Sequence, residues 1–187
     1  MHKISLAGLL AACLLLSACN NAAAPSTDKS ASRPVATATI AAEATGFTVG
    51  QAMAARTVYV FFDPQCPHCS ELWRNAKPLY SKVKFVWIPV GLMNASSTAQ
   101  GATLLAAADP ASAMDEHEVS MTAKRGGIGA GSATEAHKAA ISKNTALFNQ
   151  FGFTSIPTIV STHAQTGAVV SNQGSMTTAA LSGLLGL

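Results

Sequence analysis

Apolar residues fall along this chain in blocks of different length and period, and each block predicts a different element. Ile4 to Leu16 is an almost unbroken apolar run behind His2 and Lys3. It is too short to cross a bilayer comfortably as a permanent helix and has the length of a signal-peptide core. Residues 20–45 are rich in Ala, Ser, Thr and Pro, with Val35 and Ile40 as the large apolar exceptions. That pattern predicts a flexible tether, with the folded part starting at Gly46. Thr57-Val58-Tyr59-Val60-Phe61-Phe62 lacks polar alternation and predicts a strand buried on both faces. Asp63-Pro64-Gln65 ends it, and a helix is expected from Cys66 and Pro67, with Leu72, Trp73 and Ala76 facing inward and Pro78 kinking or ending it. Val83 to Val90 reads as a second strand, with Pro89 at its end or near a sheet edge. Strand, helix and strand of these lengths make a right-handed βαβ unit.

From Asn94 to Asn149 the period changes to helical. Runs over 97–108, 111–120 and 134–149 predict a helical insertion, broken by a mobile glycine-rich stretch at 126–132. Phe148 and Phe151 close the last run, with Gly152 as its C-terminal cap. Sheet pattern returns at Thr158–Thr162 and, after the turn Gln165-Thr166-Gly167, at Ala168–Asn172, which predicts a hairpin. Ser175 or Thr177 caps a final helix through Leu185. The fold class expected is α/β, a central mixed sheet flanked by helices.

Composition supports a packed core: 49% of residues are hydrophobic and 11% charged. A net charge of +3 without a dense basic stripe gives no nucleic-acid surface. The Lys124-Arg125 pair reads as a solvated loop. Asp115-Glu116-His117-Glu118 reads as a solvated helix face, because consecutive residues point around a helix and do not converge on a metal.

The chain has four cysteines. Cys13 lies inside the leading apolar run. Leu16-Ser17-Ala18-Cys19, at its end, resembles the lipobox of bacterial lipoproteins. That resemblance implies cleavage before Cys19, lipidation of its thiol and a membrane anchor, and Asn20 favours the outer membrane's periplasmic leaflet of a Gram-negative bacterium. The chain thus divides into a signal peptide and lipobox at 1–19, a tether at 20–45 and a folded domain at 46–187. Cys66 and Cys69 remain, in a compartment that permits disulfides, without further thiols for a cysteine-rich zinc site. At a helix start, Cys66 meets unpaired backbone N–H groups and the positive end of the helix dipole. Both favour a thiolate, with a pKa in the ~3.5–7.5 range of activated thiols. Cys66 is expected to be the more exposed sulfur. Cys69, a helical turn on, is within disulfide reach, and His68 adds a donor or a positive charge. A permanent staple between the two cysteines is the structural alternative, although so short a loop constrains little chain entropy.

Phe61-Phe62-Asp63-Pro64-Gln65-Cys66-Pro67-His68-Cys69 and Ser155-Ile156-Pro157-Thr158 together resemble the thioredoxin superfamily, and within it the bacterial DsbG/DsbC disulfide isomerases. Ile88-Pro89-Val90-Gly91 and Ala107-Ala108-Asp109-Pro110-Ala111 are also DsbG-like, whereas the central Pro67-His68 matches DsbA-type oxidases. The resemblance covers residues 46–187 and implies a thioredoxin fold and thiol:disulfide interchange without a cofactor. It implies that Cys66 attacks, Cys69 resolves, the two form a redox-active disulfide, and Pro67 and His68 tune the pair. It also implies a cis Pro157, with the Ile156 backbone pairing with an extended substrate segment. Substrates would be exported proteins with cysteines, and a membrane partner of DsbB or DsbD type would reset the pair.

Two departures shape the expectation. Thioredoxins and DsbA-like proteins often carry a buried acid where this chain has Val60, so a proton acceptor for Cys69 is missing there; Asp63 is expected to shape the loop. Residues 20–45 are also too short and polar for the isomerases' dimerisation domain, so a monomer is expected. The rival class is a chaperone-like or metal-carrying lipoprotein that uses the fold for binding.

Overall fold

The computed structural model describes residues 32–131 and 133–187. The leading apolar run, the expected lipidation at Cys19 and the first part of the expected tether lie outside the described residues. One five-stranded sheet organises the rest, in the order β1-β3-β2-β4-β5. Its strands are β1 (Phe47–Gly50), β2 (Thr57–Phe62), β3 (Lys84–Pro89), β4 (Thr158–Thr162) and β5 (Val169–Gln173). β2 and β3 are parallel and joined through helix α2 (Pro67–Ala76); the other neighbouring pairs are antiparallel.

The apolar run of β2 is divided between two cores. Val58, Val60 and Phe62 enter the cluster that holds Leu72, Trp73 and Ala76 of α2, while Phe61 enters the opposite one. β3 splits likewise, with Phe85 and Trp87 on the α2 side and Ile88 on the other. A strand whose alternate residues are both buried needs no polar partner face, which is why neither run alternates in sequence. Each fully buried large side chain contributes about 1.5–3 kcal/mol. Trp73 and Trp87 meet edge to face at 4.9 Å on the α2 side. β3 lies between β1 and β2, so Pro89 marks the strand's end and not a sheet edge.

Between β3 and β4 stand α3 (Ala95–Ala106), α4 (Pro110–Thr122) and α5 (Glu135–Gln150). Their starts are chemically marked. The Asn94 side chain accepts from the Ser96 N–H, and the Asp109 carboxylate accepts from the Ala111 and Ser112 N–H groups ahead of Pro110. α5 ends at Gly152, whose φ of 71° is the left-handed conformation a C-terminal cap requires. Thr177 caps the final helix, α6 (Thr178–Leu185), by accepting from the Ala180 N–H. α2 stops before Pro78, which sits in a 3₁₀ turn over Lys77–Leu79.

Three expectations need correction, and one strand was not foreseen. Residues 32–45, read as tether, pack on the domain. α1 (Thr37–Glu43) buries Ile40 completely in the Phe61 cluster, Arg33 N–H donates to Gln150 O at 2.7 Å, and the Arg33 guanidinium pairs with both oxygens of Glu43. One isoleucine among alanines and threonines carries no helical period, so the contact became visible only with its tertiary partner. β1 had no assignment at all, being four residues long and paired only with β3. The Asp115–Glu118 run is not a solvated face: His117 is fully buried and Glu118 nearly so. The glycine-rich stretch, expected to be mobile, is tied at Gly126, Gly127 and Ile128 by side chains from three segments.

Candidate active site

The chain leaves β2 through Asp63, whose fully buried carboxylate organises two loops. Oδ1 accepts from the Gln65 N–H at 2.8 Å, and Oδ2 accepts from the Leu92 and Met93 N–H groups at 2.6 and 2.9 Å. This is the loop-shaping role expected of it. A turn closed by the Cys66 N–H on Asp63 O (3.0 Å) delivers Cys66 as the N-cap of α2. Pro67 follows at the first helical position, where its missing N–H costs nothing. The N–H groups of Cys69 and Ser70 both donate to Cys66 O, placing Cys69 a turn into the helix.

The second half of the site comes from the segment before β4. The Ile156–Pro157 peptide is cis, as the resemblance implied. The Cys66 sulfur lies 3.8 Å from Ile156 O. Gln173 on β5 supports the loop by accepting from the Thr154 and Ser155 N–H groups at 2.8 and 2.9 Å. Cys66 and Ile156, 90 residues apart in the chain, therefore meet. His68 sits on the outer face of α2, three-quarters exposed, with Nδ1 3.7 Å from Glu71 Oε2.

Both cysteines are free thiols, and their acidities diverge. Cys66 is lowered to about 6. The main cause is a hydrogen bond from Cys69; the N–H groups of Cys69 and His68 and the His68 charge add to it, against the opposing effect of burial. Burial pushes the Cys69 thiol well up, and the neighbouring Cys66 sulfur pushes it further. The pair thus separates into one sulfur poised to ionise and one that holds its proton. Val60, at the position of the missing acid, is fully buried and supplies no proton acceptor. The exposure expectation needs a correction of degree. Cys66 is the more exposed sulfur, but only 4% of its surface is open, against 1% for Cys69.

The sequence reading missed a polar layer behind this turn. Gln65 donates to Gln100 Oε1 and to Gly126 O, and Gln100 donates to Gly126 O and Ile128 O. His117 touches Pro64 O and the Ile128 N–H. Glu118 lies beside Arg74, at 3.8 Å, with one buried carboxylate oxygen lacking a hydrogen-bond partner. Burial raises its pKa. Met114, His117 and Glu118 are the buried positions of α4, spaced i, i+3, i+4, a signal present in the sequence but outweighed there by the charges around it. Among the described residues, no group of three or more His, Cys, Asp or Glu side chains is placed to hold a metal.

Comparisons with known proteins agree with this geometry. Residues 48–186 match the family described as thioredoxin-like domain. The chain is 44% identical over 71 residues to the thiol:disulfide interchange protein DsbG of Pseudomonas aeruginosa, covering 37% of this chain and 28% of that protein. It is 35% identical over 104 residues to DsbG of Escherichia coli, covering 54% of this chain and 42% of the relative. The chain thus spans less than half the length of these curated relatives. A periplasmic thioredoxin-like protein from Salmonella enterica serovar Typhimurium superposes with a TM-score of 0.62 at 16% identity, covering 82% of this chain and 97% of that one. At that identity the likeness shows the fold.

Proposed function

This chain belongs to the thioredoxin-like domain family, and on that footing we propose that it is a periplasmic thiol:disulfide oxidoreductase acting on the cysteines of exported proteins. The observation that carries the reading is the asymmetry of the cysteine pair: an acidic sulfur at the start of α2, beside the Ile156 carbonyl, and a buried protonated one behind it. The Cys66 thiolate attacks one sulfur of a substrate disulfide. The substrate S–S bond breaks, its electron pair leaves on the other substrate sulfur, and a mixed disulfide forms. Cys69 then loses its proton and attacks the Cys66 sulfur. The mixed disulfide breaks, the second substrate thiol is released, and the protein is left with a Cys66–Cys69 disulfide. Run in reverse, the same steps donate a disulfide. Ile156 and Pro157 present backbone to an extended substrate segment, and Pro67 and His68 tune the pair. A membrane partner of DsbB or DsbD type resets it. Lipidation at Cys19 anchors the domain at the outer membrane, and the domain acts as a monomer.

Replacing Cys69 with alanine tests this directly. The variant should accumulate mixed disulfides through Cys66 with exported, cysteine-containing proteins, and C66S should accumulate none. Equal capture by both variants would point to non-covalent binding and overturn the reading. The reduction potential then sets the direction: a value near about −120 mV marks a disulfide donor, and one near about −270 mV a reductant.

A further inference from the structure

We infer that His117 is a positioning residue for thiol–disulfide exchange, an imidazole clamp that holds the turn delivering Cys66 on one nitrogen and the glycine-rich loop on the other. The inference rests on the oxidoreductase reading above. His117 projects from α4 and is fully buried. Its Nε2 lies 2.7 Å from Pro64 O, and its Nδ1 lies 3.2 Å from the Ile128 nitrogen. A carbonyl only accepts and an amide N–H only donates, so a single protonation form satisfies both contacts: neutral, with the hydrogen on Nε2. Burial lowers the imidazole's pKa and favours the neutral ring, against the hydrogen bond to Pro64 O and the charge of Asp63, which both pull the other way.

Each neighbour is built around this ring. Pro64 is one of the two central residues of the Asp63–Cys66 turn, two positions before the attacking sulfur, and its carbonyl would otherwise be a buried acceptor without a donor. Gly127 carries a φ of 90°, and a Cβ there would stand 2.5 Å from the His117 ring, so only glycine fits against the imidazole. Ser120, one turn further along α4, donates to Gly127 O at 2.9 Å. Gln65, adjacent to Cys66, reaches the same loop at Gly126 O. The turn that sets the position of Cys66 and the loop at 126–128 are therefore held as one unit. Catalytic sulfurs depend on such holding, because a displacement of about 1 Å can cost a hundredfold in rate.

Three substitutions separate the two arms. H117Q keeps a donor near the Nε2 position for Pro64 O. H117N keeps an acceptor near the Nδ1 position for the Ile128 N–H. H117L keeps neither. The measurements are the rate of exchange with a disulfide-bonded peptide, the pH profile of Cys66 alkylation, and hydrogen exchange at the Ile128 amide, all at a temperature where every variant is folded by near-ultraviolet circular dichroism. H117L should slow exchange about tenfold, inside the hundredfold range, and move the Cys66 alkylation midpoint. H117Q should restore the exchange rate to within about twofold of the unmodified protein's, and H117N should restore protection of Ile128 without restoring the rate. Nitrogen NMR shifts of the unmodified protein should show a protonated Nε2 and a bare Nδ1 at pH 7. Unchanged exchange and alkylation in a folded H117L overturn the inference while leaving the oxidoreductase reading intact. Failure of the unmodified protein to exchange with the peptide would instead overturn that reading.

Discussion

The two faces of the sheet bury different chemistry. The face covered by α1 and α5 is dry and aromatic: Phe61, Phe148, Phe151 and Phe153 pack with Ile40, Ile88 and Val160, and ring centroids stand 5.4 to 5.9 Å apart. Its deeply buried Asn144 side chain is satisfied by Thr45 and by Pro89 O. The face covered by α2, α4 and α6 buries Trp73 and Trp87 together with both cysteines, and polar groups accumulate at its edge: Asp63, Gln100, His117 and Glu118. The first face is built for stability. The second accepts buried polar atoms, including one carboxylate oxygen that makes no hydrogen bond, in return for a thiol held at a defined acidity. Buried polar groups cost free energy unless paired, so their concentration on one face marks where the molecule departs from the most stable packing.

The comparison can be broken at its extremes. C66S should abolish thiol–disulfide exchange while leaving the thermal midpoint within a few degrees, because serine fills the same space; residual exchange would detach chemistry from the α2 face. F148A, on the opposite face, should destabilise the domain by about 3–5 kcal/mol. At matched folded fraction, its Cys66 alkylation profile should be unmoved, and a shifted profile would show the faces to be coupled. D63A sits between these cases. It strips partners from the N–H groups of Gln65, Leu92 and Met93 and should cost about 2–4 kcal/mol, since bonds to a charged group contribute ~1.5–3 kcal/mol each and water recovers part. It should also slow exchange, because the Cys66 turn loses its anchor.

Smaller effects sharpen the contrast. The folded pKa of Cys66, about 6, lies below its ordinary value of 9.0. The stability this adds to the reduced protein is full above pH 9 and lost as pH falls through about 6. Denaturant titration of reduced protein should therefore show stability rising from pH 6 to 9, a slope that C66S removes. Glu118 has the opposite sign. Its folded pKa is raised by burial, so its contribution is full below 4.5 and lost as pH climbs through the raised value. E118Q should match the unmodified protein at pH 4 and melt about 2–4 °C higher at pH 8, the equivalent of about 1 kcal/mol in a domain of this size. An E118Q protein less stable at pH 8 would mean that the carboxylate is better paired than its open oxygen indicates.

Much of the architecture was legible without coordinates. Thr57–Phe62 and Thr158–Thr162 match the strands end for end, and the helix start at Cys66-Pro67 follows from proline chemistry alone. These elements announce themselves because backbone preference, apolar pattern and turn residues agree at each one. The segments that were misread lack that agreement. Ile40 and the four residues of β1 carry too little local pattern, and their structure exists because Phe61 and Trp87 were already waiting for them. His117 was misread for a different reason: three acidic neighbours made its helix face look solvated, and only the packing of α4 over the Pro64 turn turned it inward.

Local chemistry therefore determined the strand and helix order, the pairing of Cys66 with Cys69 at a helix start, and the backbone positions where proline and glycine are required. The tertiary structure decided how far Cys66 is covered, how strongly burial holds the proton on Cys69, and which distant polar groups stand behind the pair. The physical reason is range. Propensity, capping and periodicity act within a turn or two, whereas Cys66, Asp63 and His117 also take hydrogen-bond partners from segments 29 to 90 residues away, and nothing local specifies those.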